Sequence, residues 1–364
     1  MKSKKLNSSN KSFKSVFLGP FTYLRPSVRT EAYIMLALLL SQLALLIVTK
    51  STASLCIMLA SLLASYAADF SNKEKNYTDS FTIMASSIRG LMIGLLLPAT
   101  FPPVAVFFIS FAVLFINKHT LGGFANSWIN PVAVTVAICW IIGMKFFPDV
   151  SLSDSALQSK NIALTLIQDG TFPMIKADVA VTNWLNKRIF SLFGVSIPEG
   201  YVSLLWDSHS LIPAFRFNLL TIISSIILLG TDILNPIIPA VFIFTYAFLV
   251  KLFAPLFYDG TFLHGDVILA LLSSGTLFCT FFLLQWHGTT PFTNRGKWCY
   301  GIFAGILAFF VLGIGLSPAG FAFIILITNI LSLFIQSIEN HFLKEFTGSV
   351  LMQRLKAVRE GNDA

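Results

Sequence analysis

The chain has 364 residues, of which 55% are hydrophobic and only 12% are charged, and its formal net charge is +8. Soluble domains carry roughly a quarter charged residues, so this composition excludes an ordinary soluble domain. The 36 Phe residues support the same conclusion, because a lipid-facing surface tolerates apolar bulk that water does not. The sequence therefore predicts an integral membrane protein in contact with the lipid bilayer.

The positive charge does not indicate a nucleic-acid partner, because much of it lies in segment 1–30, before the first apolar run, and not on a folded face. We interpret this segment as charge that keeps the N-terminus in the cytoplasm, as the positive-inside rule expects. Binding to lipid headgroups or to a partner is the alternative. Its basic residues are Lys2, Lys4, Lys5, Lys11, Lys14, Arg25 and Arg29.

Ten apolar segments follow, each close to the roughly 20 residues that a bilayer helix needs. Those of the first half cover residues 31–49, 52–70, 81–98, 104–117 and 129–147, and those of the second half cover 217–234, 236–254, 266–286, 300–316 and 318–338. The segments near Pro98–Pro103 and Ser317–Pro318 are short for a full crossing. They predict half-helices that meet inside the bundle, where protein or water covers the free backbone groups.

Lys and Arg in the connections predict the orientation. Both termini, including the tail 339–364, are expected in the cytoplasm, with the protein in the inner (cytoplasmic) membrane of the cell. Residues 148–216 then form a long extracytoplasmic loop, in which the amphipathic stretch Val179–Phe193 is expected to lie on the membrane surface. The basic residues of the predicted inner connections are Lys73, Lys75, Lys118, Arg295 and Lys297.

The two halves, 31–147 and 217–338, are interrupted at matching places. Ser86-Ser87 recurs as Ser273-Ser274, 187 positions later, and Pro131 and Pro318 have the same offset. Such matching breaks point to a binding site at the interface of two repeats. Because each half holds an odd number of segments, the second half starts from the opposite side of the membrane. We therefore predict an all-α fold of about ten transmembrane helices in two inverted five-helix repeats.

Arg89 is the first candidate for a binding residue, because ionisable side chains inside a membrane are costly and usually functional. It lies within an apolar segment and would suit an anionic group such as a flavin phosphate, or the electron-rich edge of an isoalloxazine ring. The alternative is a structural arginine that is paired with Asp79, ten positions upstream.

Gly122-Gly123, followed by Asn130-Pro131, is typical of a tight turn into a helix with Pro in its first turn. Free amides at such a helix start can bind an anion. A purely structural turn is the alternative.

Ser273, Ser274 and Thr276 form a third candidate group, around Gly275 in an apolar segment. Small residues permit close approach by a ring ligand or by a neighbouring helix, and helix packing explains them equally well. The histidines and cysteines show no ligand spacing, so neither a catalytic residue nor a metal site is predicted.

At these residues the chain resembles the D subunit of the Rnf electron-transport complex and, more distantly, the B subunit of sodium-pumping NADH:quinone reductase. The resemblance covers residues 80–335 in matching order. Its first two stretches are Asp79-Ser80…Gly90-Leu91…Gly94-Leu95-Leu96-Leu97…Pro102-Pro103 and Lys118…Gly122-Gly123…Asn126…Asn130-Pro131. The other two are Ser273–Phe282 with Thr289-Thr290-Pro291, Arg295-Gly296-Lys297 and Gly301, and Pro318-Ala319-Gly320-Phe321-Ala322-Phe323…Asn329.

The resemblance implies a subunit of a multi-subunit translocase that couples flavin-mediated electron transfer to movement of Na⁺ or H⁺. It also implies FMN esterified to a threonine of a (Ser/Thr)-Gly-Ala-Thr motif in the long outer loop, and leaves room for a second, non-covalent flavin. The loop lacks that tetrapeptide, and Thr182 is the nearest candidate for attachment. The alternatives are a non-redox channel or secondary transporter, and a flavin-free scaffold subunit of the same complex.

Overall fold

The computed structural model describes residues 26–70, 80–120, 127–148, 173–194, 196–258, 262–286, 288–314 and 317–362. Within these ranges the chain is all-helical, with thirteen α-helices and several short 3₁₀ or π turns. The helices are α1 Val28–Val48, α2 Thr52–Phe70, α3 Ser80–Leu96, α4 Pro103–Thr120, α5 Pro131–Gly143, α6 Asp178–Arg188, α7 Tyr201–Trp206, α8 Asn218–Gly230, α9 Ile237–Phe253, α10 Val267–Ser273, α11 Thr276–Phe282, α12 Asn294–Ala308 and α13 Gly320–Asn362.

Six helical stretches are long and apolar enough to cross a bilayer, and three more apolar helices, 81–96, 131–146 and 218–230, are shorter. The prediction of an all-α integral membrane protein is thus confirmed. Nine of the ten predicted segments overlap a single α-helix each. The tenth, 266–286, was wrong as one continuous helix, because the structure divides it into α10 and α11.

The division between α10 and α11 lies at Gly275, which has a φ of 67°. A Cβ at this position would lie 1.9 Å from Cε1 of Phe215. Glycine is therefore needed at this position for two reasons: the backbone is left-handed, and the Phe215 ring lies where a Cβ would be. The Ser-Ser-Gly sequence ends one helix and starts the next, and does not pack inside a continuous helix as the sequence had suggested.

The last helix, α13, has 43 residues and continues without interruption past residue 338, where the sequence analysis placed the start of the tail. At 1.5 Å per residue it is about 64 Å long, twice the thickness of the hydrocarbon layer. Its final turns therefore extend beyond the bundle.

Hydrogen bonds between the connections divide the helix ends into two groups. At one end, the connections after α1 and α3 and the start of α10 contact the long loop between α5 and α8. At the other end, the ends of α2 and α4 contact each other, and the connections after α8 and α11 contact each other or the distal part of α13. The first group includes Arg216 with Ser51, Ala99 with Leu211 and Tyr201 with Asp266, and the second includes Lys118 with Asp69, Asn235 with Gln285 and Phe292 with Glu339.

The two halves have matching helices and matching contacts. The starts of α3 and α10 are 187 residues apart, and the other four pairs of helix starts differ by 185 to 191 residues. Within the halves, α2 packs on α4 as α9 packs on α12, and between them α1 packs on α8 and α5 on α13. The contacts between the halves therefore include those between equivalent helices.

The close packing of the first half depends on a glycine. A Cβ on Gly94 would lie only 2.6 Å from the Cα of Met58, so α2 and α3 approach each other at backbone distance. Small residues permit such approaches between membrane helices and raise the contact area per helix. This packing brings the end of α2 beside the middle of α3.

Candidate functional site

A cluster of buried charges lies where α2, α3 and α4 meet. Nη2 of Arg89 is 2.6 Å from Oδ2 of Asp69, and the two side chains are only 4% and 8% exposed. Nζ of Lys118 lies 3.1 Å from Oδ1 of the same carboxylate and donates to the Asp69 carbonyl at 3.0 Å. Because buried charges are stable only when paired and hydrogen-bonded, the three residues form one unit.

Hydroxyl groups complete this cluster. Oγ of Ser86 donates to Oδ2 of Asp69, and Oγ of Ser65 donates to the Ser86 carbonyl at 2.8 Å. Oγ of Ser87 lies 2.6 Å from the Tyr66 hydroxyl. The Ser-Ser pair that the sequence analysis noted therefore joins α3 to α2.

The partner of Arg89 is thus Asp69 from the preceding helix. The alternative partner, Asp79, lies outside the described residues. Asp69 was not a candidate from the sequence, although an acid inside an apolar segment is a sufficient signal for one. Since its Nη2 binds a carboxylate and its Nε donates to the Ala85 carbonyl at 3.2 Å, Arg89 is engaged within the protein.

The second polar group lies at the break between α10 and α11. Oγ of Ser274 donates to the Ala270 carbonyl at 2.6 Å and is also in hydrogen-bond contact with Oγ1 of Thr276. Oγ of Ser273 donates to the Leu269 carbonyl at 2.7 Å instead. The structure therefore brings two of the three candidate residues together and leaves Ser273 outside their contact.

The break is covered by the first residue of α8. Nδ2 of Asn218 donates to the Leu272 carbonyl at 2.7 Å and to the Leu204 carbonyl at 3.0 Å. The first of these bonds satisfies a carbonyl that the end of α10 leaves free. Non-helical backbone within a membrane protein requires such cover.

Asn130 forms the N-cap of α5, as the Asn-Pro pattern predicted. Its Oδ1 accepts from the Val132 amide at 3.0 Å, and its Nδ2 donates to the Leu283 carbonyl at 3.1 Å. The side chain therefore links the start of α5 to the end of α11, which is a structural role. Gly122 and Gly123 lie outside the described residues, so the anion-binding turn stays a prediction.

Thr182 is 2% exposed, and its hydroxyl donates to Oδ1 of Asp178 at 3.1 Å. The same carboxylate accepts from the amides of Gly200 at 3.0 Å and Ser203 at 2.7 Å. Asp178 thus organises the outer loop, and Thr182 belongs to that framework.

A second buried ion pair ties this loop to the bundle. Nη2 and Nε of Arg216 donate to Oδ2 and Oδ1 of Asp207 at 2.6 and 3.0 Å, and Nη1 donates to Oγ of Ser51 at 2.6 Å. Bidentate pairs of this kind are among the strongest protein hydrogen bonds. Neither residue was a candidate from the sequence, because the two are nine residues apart in an irregular loop.

Tyr201 makes a further contact between the loop and the bundle. Its hydroxyl donates to Oδ2 of Asp266, whose Oδ1 caps α10 through the Leu269 amide at 2.9 Å. Burial, followed by the nearby Asp266 carboxylate, raises the pKa of Tyr201. The phenol therefore stays protonated and can keep donating this bond.

These features define a multi-pass, all-α membrane protein built from two similar halves, with buried charges in one half and a broken, polar helix in the other. The chain belongs to the NQR2, RnfD, RnfE family, which matches residues 16–343. This finding confirms the resemblance noted in the sequence.

Curated relatives carry consistent names. A protein of Rhodobacter capsulatus, named as the D subunit of an ion-translocating oxidoreductase complex, is 26% identical over 242 residues, which cover 62% of this chain and 66% of the relative. The D subunit of a proton-translocating ferredoxin:NAD(+) oxidoreductase complex from Clostridium ljungdahlii is 22% identical, with 71% and 74% covered. The ion-translocating D subunit of Actinobacillus pleuropneumoniae serotype 7 is 23% identical, with 67% and 74% covered. The matches thus span about two thirds to three quarters of each relative.

Proposed function

We propose that this protein is the D-type membrane subunit of an ion-translocating oxidoreductase complex, in which electron transfer between the partner proteins drives Na⁺ or H⁺ across the membrane. The observation that carries this proposal is the family match over residues 16–343, which includes all ten apolar segments. The names of the relatives support it, because each belongs to a complex that moves ions.

The architecture that goes with this function is a pair of inverted five-helix repeats. In chain order, the described helix ends fall alternately at the two ends of the bundle, and equivalent helices meet across the interface. By the positive-inside rule, the end that carries Lys118, Arg295 and Lys297 faces the cytoplasm. Both termini then lie on that side of the inner membrane, and the long loop lies outside.

The two polar groups have different tasks in this scheme. The cluster of Asp69, Arg89 and Lys118 closes the cytoplasmic end of the first repeat, because the three charged groups are paired with one another and the Ser86 hydroxyl donates to the carboxylate. The break at Gly275 interrupts the equivalent helix of the second repeat and places the hydroxyls of Ser274 and Thr276 beside it. Broken helices at repeat interfaces are where transporters bind their ions.

FMN is the cofactor typical of this family, but the described residues do not fit its covalent attachment at Thr182. The hydroxyl of Thr182 is buried and already donates to Asp178, so esterification would require the loop framework to open. This observation favours a second candidate, a flavin-free subunit that serves the same complex through its helices. Flavin would in that case be carried by other members of the complex.

A pull-down from native membranes tests the first proposal. We expect an affinity-tagged chain to purify with several other membrane and iron–sulfur proteins, and the complex to show ferredoxin:NAD⁺ oxidoreductase activity in vesicles with formation of an ion gradient. Deletion of the chain should abolish the gradient, and the wild-type chain should restore it. A chain that purifies alone and leaves electron transfer unchanged when deleted would refute the proposal.

Flavin content separates the two candidates. The purified chain is denatured in SDS and inspected for in-gel flavin fluorescence, with Thr182→Ala beside the wild type. No fluorescence and no acid-extractable flavin support the flavin-free subunit. Fluorescence that is lost in Thr182→Ala would show that the loop does open for attachment, whereas fluorescence that survives would place the flavin on another residue.

A further inference from the structure

Three hydroxyl groups converge at the break between α10 and α11. Oγ of Ser274 and Oγ1 of Thr276 are in contact across the turn, and Ser274 also reaches the Ala270 carbonyl. Thr276 is fully buried, whereas Ser274 is half-buried, so the group is open on one side. The third hydroxyl is that of Tyr246, from α9, beside the side chains of Ser274 and Thr276.

The Tyr246 hydroxyl is the unusual member of this group. Its side chain is 0% exposed, yet the oxygen makes no hydrogen bond of acceptable geometry with any residue that the structure describes. Buried hydroxyls are nearly always partnered, and a missing partner often marks a bound water or ion. The oxygen of Tyr246 therefore has a free position directed at the break.

Comparison of the two halves indicates what kind of group would fill that position. With the offset of 187 residues, Thr276 is the equivalent of Arg89, and Ser274 is the equivalent of Ser87. In the first half this place holds a permanent cation that is paired with the Asp69 carboxylate, and the Ser86 hydroxyl donates to the same carboxylate. In the second half, the sequence from Val267 to Phe282 contains no charged residue. The same place is therefore lined by neutral oxygens and lacks a built-in cation.

We infer that the hydroxyls of Tyr246, Ser274 and Thr276, with the carbonyl of Ala270, bind a dehydrated Na⁺ ion at the α10–α11 break. Hard cations prefer oxygen ligands. The carbonyl end of a half-helix carries partial negative charge, and unwound carbonyls bind Na⁺ in broken-helix transporters.

The chemistry of these groups favours Na⁺ over a proton. Neutral hydroxyls and carbonyls have lone pairs for a metal ion, but they do not accept a second proton near neutral pH. The role of this Na⁺ as the transported ion rests on the proposed function. Binding itself does not, because it requires only the described oxygens.

Direct ²²Na⁺ binding to the full-length chain in lipid nanodiscs tests the inference. We expect saturable binding by the wild type, and affinity lowered about tenfold or more in Thr276→Val and Tyr246→Phe, since each removes one oxygen from a charged ligand. Thr276→Ser keeps the hydroxyl and should restore binding. Ser273→Ala is the matched control, because its hydroxyl is bonded to Leu269, and it should stay within about twofold of the wild type.

The outcomes separate the site from the function of the complex. Wild-type protein that binds no ²²Na⁺, or Thr276→Val protein that elutes as a folded monodisperse species and binds normally, overturns the site. An equal loss in Ser273→Ala also overturns it, because the effect would then reflect packing. Saturable binding in a chain that takes no part in electron transfer would leave the site in place and remove the proposed function.

Discussion

Removing one member of the buried ion cluster should destabilise the protein strongly. The 2.6 Å contact between Arg89 and Asp69 corresponds to a gross attraction of about 6 kcal/mol at an effective dielectric constant of about 20. Desolvation offsets much of this attraction, but loss of one partner leaves the other charge buried, which typically costs about 3–5 kcal/mol. The loss of stability should therefore depend on whether Arg89 or Asp69 is replaced.

For Arg89→Met we expect a loss near the lower limit, about 3 kcal/mol, because Lys118 and Ser86 still contact the carboxylate. For Asp69→Asn we expect a loss near the upper limit, about 5 kcal/mol, because two cations then share a neutral partner. At about 2 °C per kcal/mol, the melting temperatures should fall by about 6 and 10 °C. Thermal unfolding in detergent, followed by size-exclusion chromatography, measures both.

The double variant Asp69→Leu/Arg89→Met provides the decisive comparison. It replaces the pair by apolar side chains and leaves only Lys118, which is 14% exposed and can extend its ammonium group towards water. The double variant should therefore be more stable than the summed losses of its two single variants predict, by about 2 kcal/mol or more. Strictly additive losses would refute the coupled cluster. Ser87→Ala, which removes the contacts with Tyr66 and with the Ile83 carbonyl but none with the charged cluster, should cost about 1 kcal/mol and serves as the control.

Three further predictions use the same melting assay. Gly94→Val should lose about 1–3 kcal/mol, since its Cβ would lie 2.6 Å from an α2 Cα atom. Asn218→Leu should lose about 1–3 kcal/mol, because it leaves the carbonyl at the end of α10 without a donor, and the loss should be absent if water replaces the amide. Tyr201 has a raised pKa in the folded state, so the folded protein holds this proton more tightly than the unfolded chain does. Stability should therefore decline as the pH rises above the ordinary tyrosine pKa of about 10, and Tyr201→Phe should remove that part of the decline, because no phenol is left beside Asp266.

The helices could largely be predicted from the sequence, because the thickness of the bilayer fixes the length of each apolar run. The break at Gly275 could not, since a glycine inside an apolar run is compatible with a continuous helix until Phe215 is known to pack against it. The partner of Arg89 was missed for a different reason. Asp79 was chosen because it is ten positions upstream in the sequence, whereas the packing of α2 on α3 places the Asp69 carboxylate 2.6 Å from the Arg89 guanidinium.

The contacts inside the outer loop could not be predicted from sequence motifs either. Thr182 was chosen because the family resemblance implies a threonine in the loop. Its surroundings, however, depend on Asp178, whose carboxylate accepts hydrogen bonds from amides more than twenty positions away. Contacts between irregular segments have no sequence period. They become visible only when the loop is folded.

The difference between the two halves has a consequence for where ions move. In the first half, α3 is continuous from Ser80 to Leu96, and its cation is fixed by a buried carboxylate. A permanent internal charge at this place repels a second cation, so the first half suits a rigid support. In the second half, the equivalent helix is divided and its oxygens are neutral. It is covered by Phe215 from the loop and by Asn218 at the start of α8. A duplicated fold thus carries two different chemistries, and the half without a built-in cation is the one that can accept a mobile cation.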